Sequence, residues 1–202
     1  AEVEPSETAQ QVISFSPEKI DVMFAKSGES IRFHGLPFAR VRKMPGSENA
    51  WYGVERTKRT LNEASQTDFE QLIENLETHR SADTASKRHE LYRLSPESWL
   101  ESILRRNIKL LDANLILAPI YNQFRTFADK IDLLALRKDG RLVIIEIKAS
   151  PDREMPFQAA DYWRKIELQR RRGVLAAADL FAGREILDRP ALVYLGAPAL
   201  SF

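Results

Sequence analysis

The chain has 202 residues, 44% of them hydrophobic and 29% charged, with a formal net charge of +1. These values fit a globular protein of one large domain, or one domain with a small accessory unit, and the near-zero charge excludes a protein-wide field for nucleic acid, so any such field has to be local. The absence of cysteine excludes disulfides, zinc thiolate sites and thiol nucleophiles, and three scattered histidines, His34, His79 and His89, argue against a histidine metal site. No apolar stretch approaches the roughly 20 residues of a membrane span, and a cytoplasmic protein without membrane contact is expected. The chain opens on Ala1 with no initiator Met and no apolar signal core, as a trimmed chain or a fragment would.

Residues 1–10 are polar and acidic and are expected to be loosely ordered. Between Gln11 and Thr57, short apolar stretches alternate with turn residues. Residues 31–33, 38–42 and 51–55 read as strands, and Pro45-Gly46-Ser47-Glu48-Asn49 as the turn between two of them. Thr67-Asp68 can cap a helix that carries Phe69, Leu72, Ile73 and Leu76 on one face. Residues 79–89 read as a polar linker. Residues 1–85 are therefore expected to form a small strand-rich accessory unit plus a helix, of unknown role, and residues 90–202 a second domain. Trp51 and Tyr52 suit base stacking, although core packing is the favoured reading for both.

The second domain opens at Ser95-Pro96-Glu97, with Ser at N-cap, Pro at N1 and an acid in the first turn. Leu100, Ile103, Leu104, Ile108 and Leu111 form the expected buried stripe, with Glu101 at its edge. Residues 115–121 read as a strand interrupted near Pro119. Residues 130–137 and 141–148 are two further strands joined by Lys138-Asp139-Gly140, with Gly140 supplying a positive φ. Residues 156–172 read as a helix ended by Gly173 at C′, and residues 191–195 as a final strand. The class is α/β.

Loop length decides what the hairpin can do. A three-residue loop pairs Arg137 with Arg141, and hence Asp132 with Glu146. Residues directly opposed this way share a face with Cβ atoms roughly 4.5–5.5 Å apart, close enough for two carboxylates to hold one divalent ion. A two-residue loop would turn Asp132 to the other face. Alternation along residues 141–148 puts Glu146 and Lys148 on the face of Leu142 and Ile144. On the following helix Gln158, Tyr162, Lys165 and Gln169 form one stripe, and Ala159, Trp163 and Ile166 the neighbouring apolar one. Lys165, Arg164 and Arg170-Arg171-Arg172 can meet phosphates, or form a solvated helix end favoured by the dipole.

Asp132, then Glu146-Ile147-Lys148, then Gln158 to Tyr162 resembles the PD-(D/E)XK nuclease superfamily, in its RecB-like branch with a QxxxY motif. Ile131 stands where the name-giving proline would be. The resemblance covers about residues 95–197. It implies a restriction-endonuclease-like αβββαβ core and hydrolysis of DNA phosphodiester bonds, endo or exo, with Mg2+ as cofactor and Mn2+ as substitute. Asp132, Glu146 and the Ile147 carbonyl are then the implied metal ligands. Glu101 is implied to hold the ion directly or through its water; a solvated helix glutamate is the alternative. Lys148 would stabilise charge on the phosphate or take a proton from water. Gln158 and Tyr162 would orient Lys148 or contact the DNA backbone. DNA is the implied partner and a homodimer is left open. The other reading is a catalytically inactive nucleic-acid-binding or regulatory module on the same fold.

Overall fold

The computed structural model describes residues 4–25, 28–118 and 131–197. Among them, six α-helices and two β-sheets make a mixed α/β protein. The chain divides into two compact units, Ala1–Trp99 and Leu100–Phe202.

The first unit opens with α1 (Glu7–Ser14), where loose order was expected. Ser6 caps this helix by accepting from the Ala9 amide at 3.2 Å, and Ala9 and Val12 are buried. Ser6 is itself anchored, since its amide donates to the buried Glu29 carboxylate at 2.8 Å. Five antiparallel strands follow in sequence order: β1 (Ile20–Ala25), β2 (Gly28–Phe33), β3 (Leu36–Met44), β4 (Ser47–Tyr52) and β5 (Arg59–Thr60). The turn before β4 is narrower than expected. Only Pro45-Gly46 separates the strands, and Ser47, Glu48 and Asn49 belong to β4 on its exposed part.

A 3-10 turn at Glu63–Ser65 then leads into α2 (Gln66–His79). The 3-10 turn is capped by Asn62 in a reciprocal box with Ser65, while α2 itself starts after Ser65 with no side-chain cap from Thr67 or Asp68. Phe69, Ile73 and Leu76 are buried as the helical spacing predicts, with Leu72 packed partly against them.

The polar segment after α2 is less solvated than a linker. Arg80 is fully buried at its head, and its guanidinium donates to the carbonyls of Phe33, His34, Leu91, Leu94 and Ser95 at 2.6–3.3 Å. This ties β2 to α3 (Glu90–Arg93) and to the residues after it. The stretch 90–99 therefore belongs to the first unit, later than the expected start of the second domain.

The second unit begins within α4 (Pro96–Arg106), which starts at Pro96 as expected. Ser95, however, takes a φ of +44°, outside the extended conformation usual for an N-cap. Only Leu104, and Ile108 in the 3-10 turn that follows, bury against the sheet. Leu100, Ile103 and Leu111 are exposed, which corrects the expected stripe. The helix stops at Arg106, and the tighter turn shifts the phase of everything after it.

Next come β6 (Leu115–Leu117), β7 (Leu133–Arg137), β8 (Leu142–Ile147), α5 (Met155–Arg171), α6 (Val174–Ala177) and β9 (Leu192–Gly196). The sheet order is β6-β7-β8-β9, with the first two pairs antiparallel and the last parallel. Helix, three strands, helix, strand are all present. The short α6 was not foreseen, and the expected strand residues 119–121 and 130 lie outside the described residues. Every residue of β8 is buried. Leu142 and Ile144 pack with Ile166 of α5, while Val143, Ile145 and Ile147 pack with Leu104 and Ile108. Burial on both faces is why this strand reads as an unbroken apolar run.

The hairpin between β7 and β8 has the three-residue loop. Leu133 pairs with Ile145 and Leu136 with Leu142, and the Arg137 amide donates to the Arg141 carbonyl at 2.8 Å. Gly140 stands at φ +82°, and a Cβ there would lie 2.8 Å from Leu187 Cγ. Gly140→Ala is therefore expected to cost about 1–2 kcal/mol from the left-handed backbone alone. Urea unfolding checks this: the midpoint should fall with an unchanged slope. A midpoint equal to wild type would show that the loop re-forms without a positive φ.

Candidate active site

The end of β8 carries the three residues on which the sequence pattern turns. Glu146 is 2% exposed. The Lys148 ammonium lies 3.4 Å from Glu146 Oε1 and 3.7 Å from Asp152 Oδ2. The Lys148 amide donates to the Gly196 carbonyl at 2.9 Å, which extends the β8–β9 ladder by one residue and fixes the lysine's backbone. A buried carboxylate is tolerated when paired and hydrogen-bonded, and here the pairing cation is only two residues away.

Asp132 meets this group differently from the expected cross-strand pair. The β7–β8 ladder ends at Leu133 and Ile145. The Ile147 amide, whose next ladder acceptor would be the Ile131 carbonyl, instead donates to Asp132 Oδ2 at 2.8 Å. Ile131 packs on the Leu142–Ile144 side of the sheet, where strict alternation would have put it on the other. Strand geometry thus stops at Asp132, and its carboxylate is tied to the β8 backbone next to Glu146. Two carboxylates squarely opposed across a ladder would repel; a side chain-to-backbone bond brings them together without that arrangement.

Tyr162 lies in the field of the whole group. Burial raises its phenol pKa, the negative charges of Glu146 and Asp132 raise it further, and Lys148 and Lys165 pull it back. Its ring packs on the Leu142–Ile144 cluster, with the Lys165 ammonium 5.8 Å from its centroid. Trp163, half-buried alongside, donates its indole N–H to the Ala191 carbonyl at 3.0 Å, and Ile166 is buried beneath. Gln158 is half-buried one helical turn before Tyr162, with its amide bonded to the Glu154 carbonyl at 2.9 Å.

Glu101 stands apart from the carboxylate pair. Leu104 of its helix packs on the Val143–Ile145 side of the sheet. Glu101 Oε1 is 2.6 Å from Arg105 Nε, and Arg105 in turn donates to the Asp132 carbonyl at 2.8 Å. Glu101 thereby reaches Asp132 through an arginine. The Ile147 side chain is buried on the same side, while its backbone amide binds Asp132.

Asp152 was missed by the sequence reading. Its Oδ1 accepts from the Glu154 amide at 2.8 Å at the entry to α5, and its Oδ2 faces Lys148. Its signal was an aspartate directly after Pro151 and just ahead of a helix, four residues beyond Lys148. One side chain thus binds the backbone just ahead of the helix and faces the lysine.

Within the basic end of α5, Arg170 is structural while Arg171 and Arg172 are exposed. Arg170 is nearly buried and makes two bonds to Glu167 at 3.0 and 2.9 Å, and it also pairs with Asp188. Glu167 further accepts from the Ala191 amide at 2.8 Å. Arg164 and Lys165 pair with Asp161 at 3.1 and 3.0 Å, and Arg171 remains largely exposed. Burial raises the Glu167 carboxyl, but the Arg170 and Ala191 bonds outweigh it and hold the pKa below the usual value. A depressed carboxylate gives stability that is present above the ordinary glutamate range and lost as pH falls through the folded value. Glu167→Gln should therefore cost somewhat less than the roughly 3–5 kcal/mol of a broken buried pair, because Asp188 still faces Arg170. It should also flatten the acid limb of the stability profile below about pH 4.5. Urea midpoints measured across pH check both; an unchanged acid limb would show that the pair is not what titrates.

Among the described residues, no three aspartate, glutamate or histidine side chains cluster as a complete metal cage. Asp132 and Glu146 supply two hard oxygen donors. That set fits a magnesium-type ion, which typically takes one or two carboxylates and completes its shell with water and substrate phosphate. No known protein family, curated protein or solved structure matches this chain.

Proposed function

We propose that the second unit hydrolyses DNA phosphodiester bonds with a divalent ion, Mg2+ or Mn2+, on the restriction-endonuclease-like core that its element order suggests. The observation that carries this reading is the Lys148 ammonium held 3.4 Å from buried Glu146, beside an Asp132 carboxylate fixed to the neighbouring amide. Asp132 and Glu146 would hold the ion, with the Ile147 carbonyl as a third donor. Such an ion would supply Lewis-acid chemistry toward the phosphate and the attacking water. Lys148 faces the phosphate oxygens on which negative charge grows, and Asp152 keeps its ammonium in place. Arg105, braced by Glu101, holds the Asp132 backbone. Gln158 and Tyr162, on α5, would orient the lysine or contact the DNA backbone.

One observation favours the second reading, a nucleic-acid-binding module without cleavage. Lys148 already pairs with Glu146 and Asp152, so a cation stands among the carboxylates without any metal. Incubating the chain with single-stranded, duplex and branched DNA separates the two. Cleavage that needs Mg2+ or Mn2+ and stops with chelator is expected. Failure to cut any of these substrates with either metal would leave the binding module as the better account.

A further inference from the structure

The first unit's sheet has one face against the core and one outward. Ala39, Val41, Ala50 and Tyr52 point inward and are buried. Alternation then puts Arg40, Arg42, Asn49, Trp51 and Thr60 on the outer face, where Arg40 opposes Trp51, Arg42 opposes Asn49 and Trp51 opposes Thr60. The charge of this region is lopsided. Residues 36–60 hold six basic side chains against two acidic ones, in a chain whose net charge is +1. Arg40, Arg42, Lys43 and Lys58 are exposed.

A hollow of about 450 Å³ opens at the end of β4. Arg40, Trp51, Tyr52, Glu55, Thr57 and Lys58 are among its lining residues. The Lys58 ammonium sits 4.6 Å from the Trp51 ring centroid, so cation and aromatic surface are presented together. Tyr52 is 5% exposed, and its hydroxyl has no hydrogen-bond partner among the described residues. It belongs to the core side of the sheet and takes no part in the outer face that carries Trp51.

We infer that this face of the first unit binds single-stranded nucleic acid, with a base against Trp51 and the neighbouring phosphates at Arg40, Arg42 and Lys58. The charge selects a polyanion. The half-buried indole selects a single strand, since an unpaired base can enter a hollow and stack where a paired base cannot. Glu55, the acid in the lining, disfavours a purely electrostatic site for any anion. The inference concerns binding alone and holds whether or not the second unit cleaves.

The test is fluorescence anisotropy of a labelled oligo-dT with the full chain in chelator, so that nothing is cut. Binding that falls steeply with salt is expected. Trp51→Ala should weaken it about tenfold or more, in line with the loss of one base–aromatic stack. Lys58→Glu, an exposed change, should weaken it as well. Trp51→Phe keeps a ring and guards against a misfolded alanine variant; it should bind with intermediate affinity. The inference is overturned if wild type does not bind oligo-dT, or if Trp51→Phe and Lys58→Glu bind like wild type. It is equally overturned if duplex DNA or polyglutamate competes as well as oligo-dT. Loss of binding in Lys148→Ala with full retention in the Trp51 variants would place the site in the other unit and overturn it too.

Discussion

Lys148→Ala is expected to cleave DNA about 10²–10³ times more slowly than wild type while still binding metal, because removing one preorganised charge-stabilising group typically costs that much. The lysine acts on the phosphate, so isothermal titration with Mn2+ should show affinity that is unchanged or tighter. Tighter binding would follow from the loss of an ammonium 3.4 Å from Glu146, which competes with any cation there. Asp132 needs a gentler change. Its Oδ2 accepts from the Ile147 amide, so Asp132→Ala would fray the end of β8 as well as remove a ligand. Asp132→Asn keeps an oxygen for that amide and removes the charge; it should lose metal affinity and cleavage together, with the thermal midpoint nearly kept. Cleavage that survives Lys148→Ala unchanged would mean that the chemistry lies elsewhere. Metal binding that survives Asp132→Asn would remove Asp132 from the ligand set.

How much of this was legible depends on whether local chemistry or tertiary packing decided each element. The β7–β8 register was readable because Gly140 marks a positive φ and loop length then fixes every pair. The departure at Asp132 was not. Whether a strand continues past Leu133 or yields its hydrogen bond to a side chain depends on partners such as Arg105, which binds the Asp132 carbonyl from another element. Glu101 was put at the edge of a stripe that is largely exposed; spacing alone cannot say which side of the sheet a helix covers, and Arg105 at i+4 was the overlooked partner. Arg170 read as either a phosphate contact or part of a solvated helix end because three arginines ran together, and it is neither solvated nor free for phosphate. Glu167, three residues earlier, was the available sign of an ion pair. In the first unit α1 was missed because its residues are mostly polar; only Ala9 and Val12 bury. Residues 20–24 alternate apolar and polar only in part, and β1 went unread for that reason.

Arg80→Met should strongly destabilise the first unit. The guanidinium is fully buried and serves five backbone carbonyls, from Phe33 and His34 at the end of β2 and from Leu91, Leu94 and Ser95 beyond α2. It also stands 4.8 Å from the Trp99 ring centroid. Burial pushes its pKa down to about 10, so it stays charged at neutral pH, and the carbonyl dipoles replace the water it has lost. Methionine fills much of the volume but leaves five acceptors without their donor. Leaving a buried acceptor unsatisfied costs about 1–3 kcal/mol, so losing several is a large share of the total stability of about 5–15 kcal/mol for a typical domain. Arg80→Lys should recover less than half, since one ammonium has three donors and no planar fork to span five carbonyls. Hydrogen exchange followed by mass spectrometry gives the regional readout. Protection should fall first in β2 and in residues 90–95, the two segments that Arg80 joins. Arg80→Met with wild-type protection in both segments would show that the carbonyls find other donors and that the arginine is not what holds them.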